Sequence, residues 1–258
     1  MKVATFNCNS LRTRLSIILE WLQKNTPDVL FLQETKIQDK DFPTKAFKEA
    51  GYEIWYVGQK SYNGVATATK ASSEIIKKNL DMDKNNEARF LEVSYKGIRL
   101  INVYIPQGTS VDSERFQYKL NFLDWLYLYV TSTYSPKDPI IMAGDFNVAM
   151  TDKDVYAPDD FRGDVCFHPE EQIRLQRFFT WGFVDLYRHK YPDEIGYTFW
   201  DYRIPNGFKR NMGWRIDYIL ATNGLASHLK DINVEKELRA LPKPSDHTIL
   251  WAEFALTL

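Results

Sequence analysis

Carboxyl, amide, phenol and imidazole groups recur in this chain at the points where an apolar run stops. Residues 3–6 lead into Asn7, 29–32 into Gln33-Glu34, 101–103 into Tyr104, and 140–143 into Gly144-Asp145-Phe146-Asn147. Strand ends that share a rim are where α/β proteins build sites. Taken singly, each case has a plainer reading: Asp145 caps a turn, and Glu34 sits on a solvated edge. Two further segments strengthen the pattern. Trp214-Arg215-Ile216-Asp217-Tyr218 sets a carboxylate, Asp217, inside an apolar run, where burial demands a partner. Pro244-Ser245-Asp246-His247 sets an imidazole beside an acid. A carboxylate bonded to an imidazole fixes its tautomer and stabilises its charged form.

If Glu34, Asp145, Asp217 and Asp246 converge, they cannot all stay ionised without a cation. The available donors are oxygens. The chain holds 4 histidines and 2 cysteines, none in a paired zinc-ligand spacing. Oxygen donors favour Mg2+, with Mn2+ as its substitute. Such an ion neutralises a phosphodiester and stabilises the charge that gathers on it. No Walker loop or dinucleotide fingerprint is present, and without Gly-x-Ser-x-Gly a serine acyl-transfer enzyme has no support.

The elements that must position these groups can be read from periodicity. Residues 3–6, 28–32, 52–57, 64–69, 89–93, 100–105, 139–142, 215–221 and 249–254 are short, apolar and rich in β-branched side chains, as strands are. Residues 15–24 and 113–129 are amphipathic helices, the second with Ser113 or Asp112 as N-cap. His168-Pro169-Glu170-Glu171 opens a third helix, which ends near Trp181-Gly182. Hairpin-like pairs mixed with strand–helix units predict a layered α/β protein. Residues 152–164 and 203–212 read as long loops, the first either functional or a surface insertion.

At these motifs the chain resembles the exonuclease III family of abasic-site endonucleases, within the endonuclease/exonuclease/phosphatase superfamily. The matching segments are Phe6-Asn7-Cys8-Asn9-Ser10-Leu11-Arg12, Leu32-Gln33-Glu34-Thr35-Lys36, Gly64-Val65-Ala66, Asn102-Val103-Tyr104-Ile105-Pro106-Gln107-Gly108, Gly144-Asp145-Phe146-Asn147, Trp214-Arg215-Ile216-Asp217-Tyr218 and Ser245-Asp246-His247. They keep the family order across nearly the whole chain.

The resemblance implies one domain over residues 1–258, folded as a four-layer α/β sandwich: two mixed β-sheets face to face with helices outside. It implies Glu34 as principal metal ligand with Asn7 and Asp246 nearby, and room for a second ion near Asp145, Asn147 and His247. Asp145 would orient or deprotonate water, Asn147 would hold the water or phosphate, and Asp217 would orient His247 against the phosphate. Tyr104 would donate to the phosphate or assist the leaving group. Whether His247 or Asp145 takes the proton stays open. Lys36 matches a family lysine near the metal, and Gln107 falls in a substrate-binding segment. Phe199, Trp214 and Ile216 match an apolar pocket that receives a base-free sugar, and such a pocket excludes a normal nucleotide by size. Arg203, Lys209, Arg210 and Arg215 lie in one segment without an acid among them, suited to tracking a DNA backbone. Ser10 departs from the family pattern, where many relatives carry glycine, and the departure falls on the turn that presents Asn7.

The implied reaction is cleavage of duplex DNA 5′ to an abasic site, with 3′→5′ exonuclease and 3′-phosphatase or phosphodiesterase activities on blocked ends. One alternative is an enzyme that is mainly a 3′→5′ exonuclease. Another is a superfamily phosphoesterase acting on a phosphoinositide or sphingomyelin. A third is a noncatalytic DNA-binding protein that kept the fold, but Glu34, Asp145 and His247 are all present. A net charge of −1 argues against a nonspecific nucleic-acid coat, not against an enzyme with a local basic face. Two cysteines exclude a disulfide scaffold, and no apolar run suits a signal peptide or a membrane span. A cytoplasmic monomer is expected.

Overall fold

The computed structural model describes residues 1–256; Thr257 and Leu258, included in the one-domain expectation, lie outside the described residues. Alternation along the central strands explains the architecture. Val29 and Phe31 point one way and Leu30 and Leu32 the other, and all four are buried. A strand flanked by apolar matter on both faces must have a layer on each side.

Among the described residues there are two six-stranded sheets. The first has the order β11 (Leu229–Val234), β12 (Leu250–Phe254), β1 (Lys2–Asn7), β2 (Val29–Gln33), β4 (Val65–Thr69) and β3 (Glu53–Val57). The second runs β5 (Ser73–Lys77), β6 (Phe90–Tyr95), β7 (Ile98–Tyr104), β8 (Ile140–Asp145), β10 (Asp217–Thr222) and β9 (Phe183–Asp185). Both are mixed: β1 and β2 are parallel, as are β7 and β8, and their other neighbours are antiparallel.

The facing surfaces share one core, in which Val3, Phe31 and Val65 meet Leu91, Leu100, Ile141 and Ile219. The outer face of the first sheet packs through Leu30, Leu32 and Ala66 on α1 (Leu11–Asn25) and α2 (Thr44–Glu49). The outer face of the second packs through Ile101, Met142 and Leu220 on α3 (Glu114–Thr133) and, beyond α4 (Pro158–Phe161), on α5 (Pro169–Trp181). The chain is thus the expected four-layer α/β sandwich.

All nine expected strands are present. Three more form: β5, β9 and β11. Each is an edge strand, and β5 and β11 are mostly half-buried or exposed, so neither carries a full apolar alternation. Ser113 caps α3 by accepting from Phe116 N. His168 caps α5, with Pro169 in its first turn. Residues 152–164 are not an open loop: a 3-10 turn at Asp152–Asp154 and α4 lie within them.

Candidate active site

Strand register brings the polar strand ends into line. Asn7 pairs with Gln33 across β1 and β2, and Asp145 pairs with Tyr104 on one side and Asp217 on the other. The parallel strands β1 and β2 therefore end beside the parallel strands β7 and β8 at one rim of the sandwich. Two glycines allow close approach there. A Cβ on Gly64 would sit 2.1 Å from Thr35 Oγ1, and one on Gly144 would sit 1.9 Å from the Val103 carbonyl. Left-handed backbone clusters at the same rim, at Asn9, Ser10, Glu34, Lys36 and Asn147. Such strain persists only where surrounding structure imposes it, and it gathers at functional sites.

Ligating atoms of Glu34, Asp145 and His247 lie within 4.8 Å of one another. Asn7 sits between the two acids, and its Nδ2 donates to Glu34 Oε1 and Asp145 Oδ2, each over 2.8 Å. Its Oδ1 accepts from Asn9 N instead. Asn7 thus bridges the two carboxylates at the centre of the cluster, where the sequence set it beside the metal. His247 Nδ1 lies 2.8 Å from Asp217 Oδ2, and His247 Nε2 lies 3.7 Å from Asp145 Oδ2. Asp217 is fully buried inside β10, so the partner its burial demanded is His247. Asn147 donates its backbone N–H to Asp145 Oδ1 and its Nδ2 to the Ile105 carbonyl.

Asp246 stands apart from this cluster and is joined to it by Asn9. Asn9 Nδ2 donates to Asp246 Oδ1 over 3.0 Å, Lys36 Nζ donates to Asn9 Oδ1, and Lys36 Nζ lies 3.0 Å from Glu34 Oε2. Asn9 was not singled out from the sequence, although it lies in the first motif. Its signal is the Asn-x-Asn spacing, which turns both amides to one rim.

Electrostatics follow from burial and crowding. Burial is the largest influence on Asp145 and lifts its carboxyl to about 7; Asp217 and Glu34 add to this, while His247 and Asn7 oppose it. Burial disfavours charge on His247, yet Asp217 and Asp145 outweigh it and raise the imidazole to about 10. Burial also pushes Glu34 up, but Lys36 and Asn7 more than offset it and hold the carboxyl below its ordinary value. Burial and the Glu34 carboxylate keep the Tyr104 phenol protonated well above its usual range.

These groups form the floor of a cleft of about 690 Å3. Glu34, Tyr104, Gln107, Asp145, Asn147, Asp246 and His247 line it, with Phe199, Arg203, Trp214 and Ile216 on its wall. Phe199 is pinned between Trp214 and His247 by single β-bridges, and its ring lies 4.8 Å from the imidazole. Tyr156 and Phe161 extend the aromatic wall, with the Phe161 ring 5.0 Å from Trp214. Both come from residues 152–164 and were missed because Tyr156 lies outside any helix or strand and Phe161 ends a helix of four residues, too short to show a period.

The basic segment is corrected by the structure. Arg215 is buried and ion-paired with Asp154 and Asp185, so it builds the fold and is withdrawn from any backbone-tracking face. Arg203 is exposed but pairs with Asp201 over 2.6 Å, an acid just outside the segment. Lys209 and Arg210 are exposed and, like Lys36, lie outside the cleft lining.

The Endonuclease/Exonuclease/phosphatase family profile matches residues 4–247. Exodeoxyribonuclease III of Haemophilus influenzae is 34% identical over 267 residues, covering 98% of this chain and 100% of that protein. The structure of an AP endonuclease from Archaeoglobus fulgidus superposes with a TM-score of 0.97 at 41% identity, covering 99% of this chain and 100% of that one. The 3′ phosphatase NExo from Neisseria, bound to product DNA hairpin, superposes with a TM-score of 0.95 at 34% identity, again covering 99% and 100%. With the fold, the rim and these matches in agreement, the chain belongs to the endonuclease/exonuclease/phosphatase family, in its exodeoxyribonuclease III and AP endonuclease branch.

Proposed function

We propose that this protein is a DNA repair nuclease that hydrolyses the phosphodiester 5′ to an abasic site in duplex DNA, leaving a 3′-hydroxyl and a 5′-deoxyribose phosphate. The observation that carries the reading is the line Asp145–His247–Asp217 beside Glu34 on the cleft floor, under an apolar wall.

The residues fit a divalent cation. Glu34 and Asp145 crowd one buried rim with Asp217 close by, and burial first, then the neighbouring Asp217 and Glu34 carboxylates, raise the Asp145 carboxyl. Glu34 and Asp145 would hold the ion, with Asp246 and the Asn147 side-chain oxygen in support; oxygen donors suit Mg2+ or Mn2+. When bound, it supplies charge stabilisation to the phosphodiester.

Asp145, held by Asn7 and 3.7 Å from His247, is placed to orient a water and take its proton. His247 is held as an imidazolium by Asp217 and donates to a phosphate oxygen. Tyr104, kept neutral, donates to the same group or to the leaving oxygen. Lys36 and Asn9 hold Glu34 and Asp246 in place. Phe199, Trp214 and Ile216 present an apolar surface suited to a sugar without a base.

A second activity, on 3′ ends, is favoured by the likeness to the Neisseria 3′ phosphatase, whose TM-score of 0.95 stands close to the 0.97 of the AP endonuclease. The test uses a labelled duplex with one abasic-site analogue beside an undamaged duplex with a recessed 3′ end, each with magnesium and with a chelator. The expected result is a metal-dependent cut immediately 5′ to the lesion. Digestion of the 3′ end alone makes the enzyme mainly an exonuclease, and inertness toward both removes DNA as the substrate.

A further inference from the structure

Directly behind the cleft, Lys119 of α3 and Glu171 of α5 form an ion pair with no solvent exposure on either side chain, Nζ to Oε1 over 2.7 Å. The ammonium donates to three more acceptors, the Asn147 carbonyl at 2.7 Å, the Gln107 carbonyl at 3.1 Å and, more weakly, Cys166 Sγ at 3.7 Å. Glu171 in turn accepts from Cys166 N at 3.1 Å and from His168 N at 3.4 Å. One buried pair therefore ties two helices to three cleft-lining residues, Gln107, Asn147 and Cys166.

Stability is a weak reason for such a pair. Both charges lose their hydration, and apolar residues of similar volume often serve as well. The α3–α5 seam already packs through Phe122, Leu126, Leu175 and Phe178. An apolar pair could not hold Asn147. That residue is left-handed, with φ 51°. Its N–H goes to Asp145, its Nδ2 to Ile105 and its carbonyl to Lys119. Three fixed groups leave one orientation for the fourth, Oδ1, which lies 3.9 Å from Cys166 Sγ beside the cleft.

We propose that Lys119 and Glu171 are positioning residues for the hydrolysis, locking Asn147 and Gln107 from behind in the geometry that turnover requires. The proposal rests on the phosphodiesterase reading above. It assigns the pair a role in kcat that packing alone would not give it.

The test compares Lys119→Met, the double variant Lys119→Met/Glu171→Leu and Lys119→Arg with the unaltered protein. The readouts are thermal midpoint, kcat and KM on the abasic duplex, and amide hydrogen exchange. Lys119→Met alone strands a buried carboxylate and lowers both stability and kcat. The double variant is expected to recover the midpoint yet keep kcat at least thirtyfold down, with KM within threefold. Lys119→Arg, which keeps charge and donors, is expected to recover most of kcat. A double variant with normal midpoint and normal kcat overturns the proposal. If it does not fold, Lys119→Gln/Glu171→Gln replaces it, neutral and too short to reach both carbonyls, and is judged by the same ratio. Exchange at residues 106–109 and 145–149 is expected to quicken at least tenfold in the folded double variant. Unchanged exchange overturns the positioning role whatever the substrate. A wild-type protein inert toward DNA sinks the phosphodiesterase reading alone.

Discussion

Asp145 is the residue on which geometry and electrostatics bear most heavily. Its folded carboxyl is raised to about 7, so above the unfolded value, near 4, its ionised form weakens the metal-free fold. Asp145→Asn is therefore expected to keep or raise the thermal midpoint in a chelator while turnover falls by about 10^2–10^4-fold, the span of a lost acid–base group. Near-normal turnover in that variant removes Asp145 from the mechanism. Asp217 acts through His247: Asp217→Asn removes the charge that most favours the imidazolium. The histidine is expected to titrate lower, read by its ring proton shifts, and turnover to fall about 100-fold; an unmoved titration contradicts the pairing. These residues were legible because chemistry is carried by residue type. Asp217 in an apolar run and the Asp-His step announced themselves. Asn9, Tyr156 and Phe161 did not, since an amide in a turn and aromatics in or beside a four-residue helix look like ordinary loop and core until contacts are known.

At the scale of elements, the central strands were readable, and of the edge strands β3 was and β5, β9 and β11 were not. β2, β4 and β8 are buried throughout, and burial on both faces gives β2 and β8 the apolar runs 29–32 and 140–143, while β4 alternates small apolar residues with threonine. β5, β9 and β11 pair on one side only, so their sequences are free to be polar or short. The polar filling between the sheets was also hidden. Gln33 Nε2 donates to Asn102 Oδ1, and Asn102 Nδ2 to the Ala66 carbonyl, fixing one sheet against the other below the rim. Ser10 shows how an element pays for a site. It holds φ 93° at the start of α1, with no side-chain capping bond, while its N–H goes to the Glu34 carbonyl. Ser10→Gly is expected to stabilise the protein by about 1 kcal/mol by relieving left-handed strain, with turnover kept. Gly144→Ala, which sets a methyl against the Val103 carbonyl, is expected to lose about 3 kcal/mol or more through overpacking and strain. Urea unfolding of both variants checks the pair, and equal stabilities would contradict the strain argument.

For the molecule as a whole, Asp154 anchors the segment that carries the aromatic wall. Its carboxylate is fully buried and meets Arg215 and Arg188, each at 2.7 Å. Burial raises its carboxyl, but Arg215 and then Arg188 overcome this and hold it below its ordinary value. A depressed folded pKa stabilises the fold fully above the unfolded value, about 4, and the contribution is lost as pH falls through the folded value. Asp154→Asn is expected to cost about 3–5 kcal/mol at pH 7, the loss typical of a broken buried pair, and much less near pH 2. Denaturant midpoints across that range decide it, and a pH-independent loss would show a packing effect only. The layered fold, the rim and the acidic cluster thus bear on one claim: Glu34 and Asp145 hold a divalent ion that turnover requires. The most direct test is a magnesium titration of abasic-site cleavage by the unaltered protein and by Glu34→Gln. The account expects the variant to need at least tenfold more magnesium for half-maximal rate and to stay slower at saturation. An unchanged titration curve would place the ion elsewhere and contradict the account.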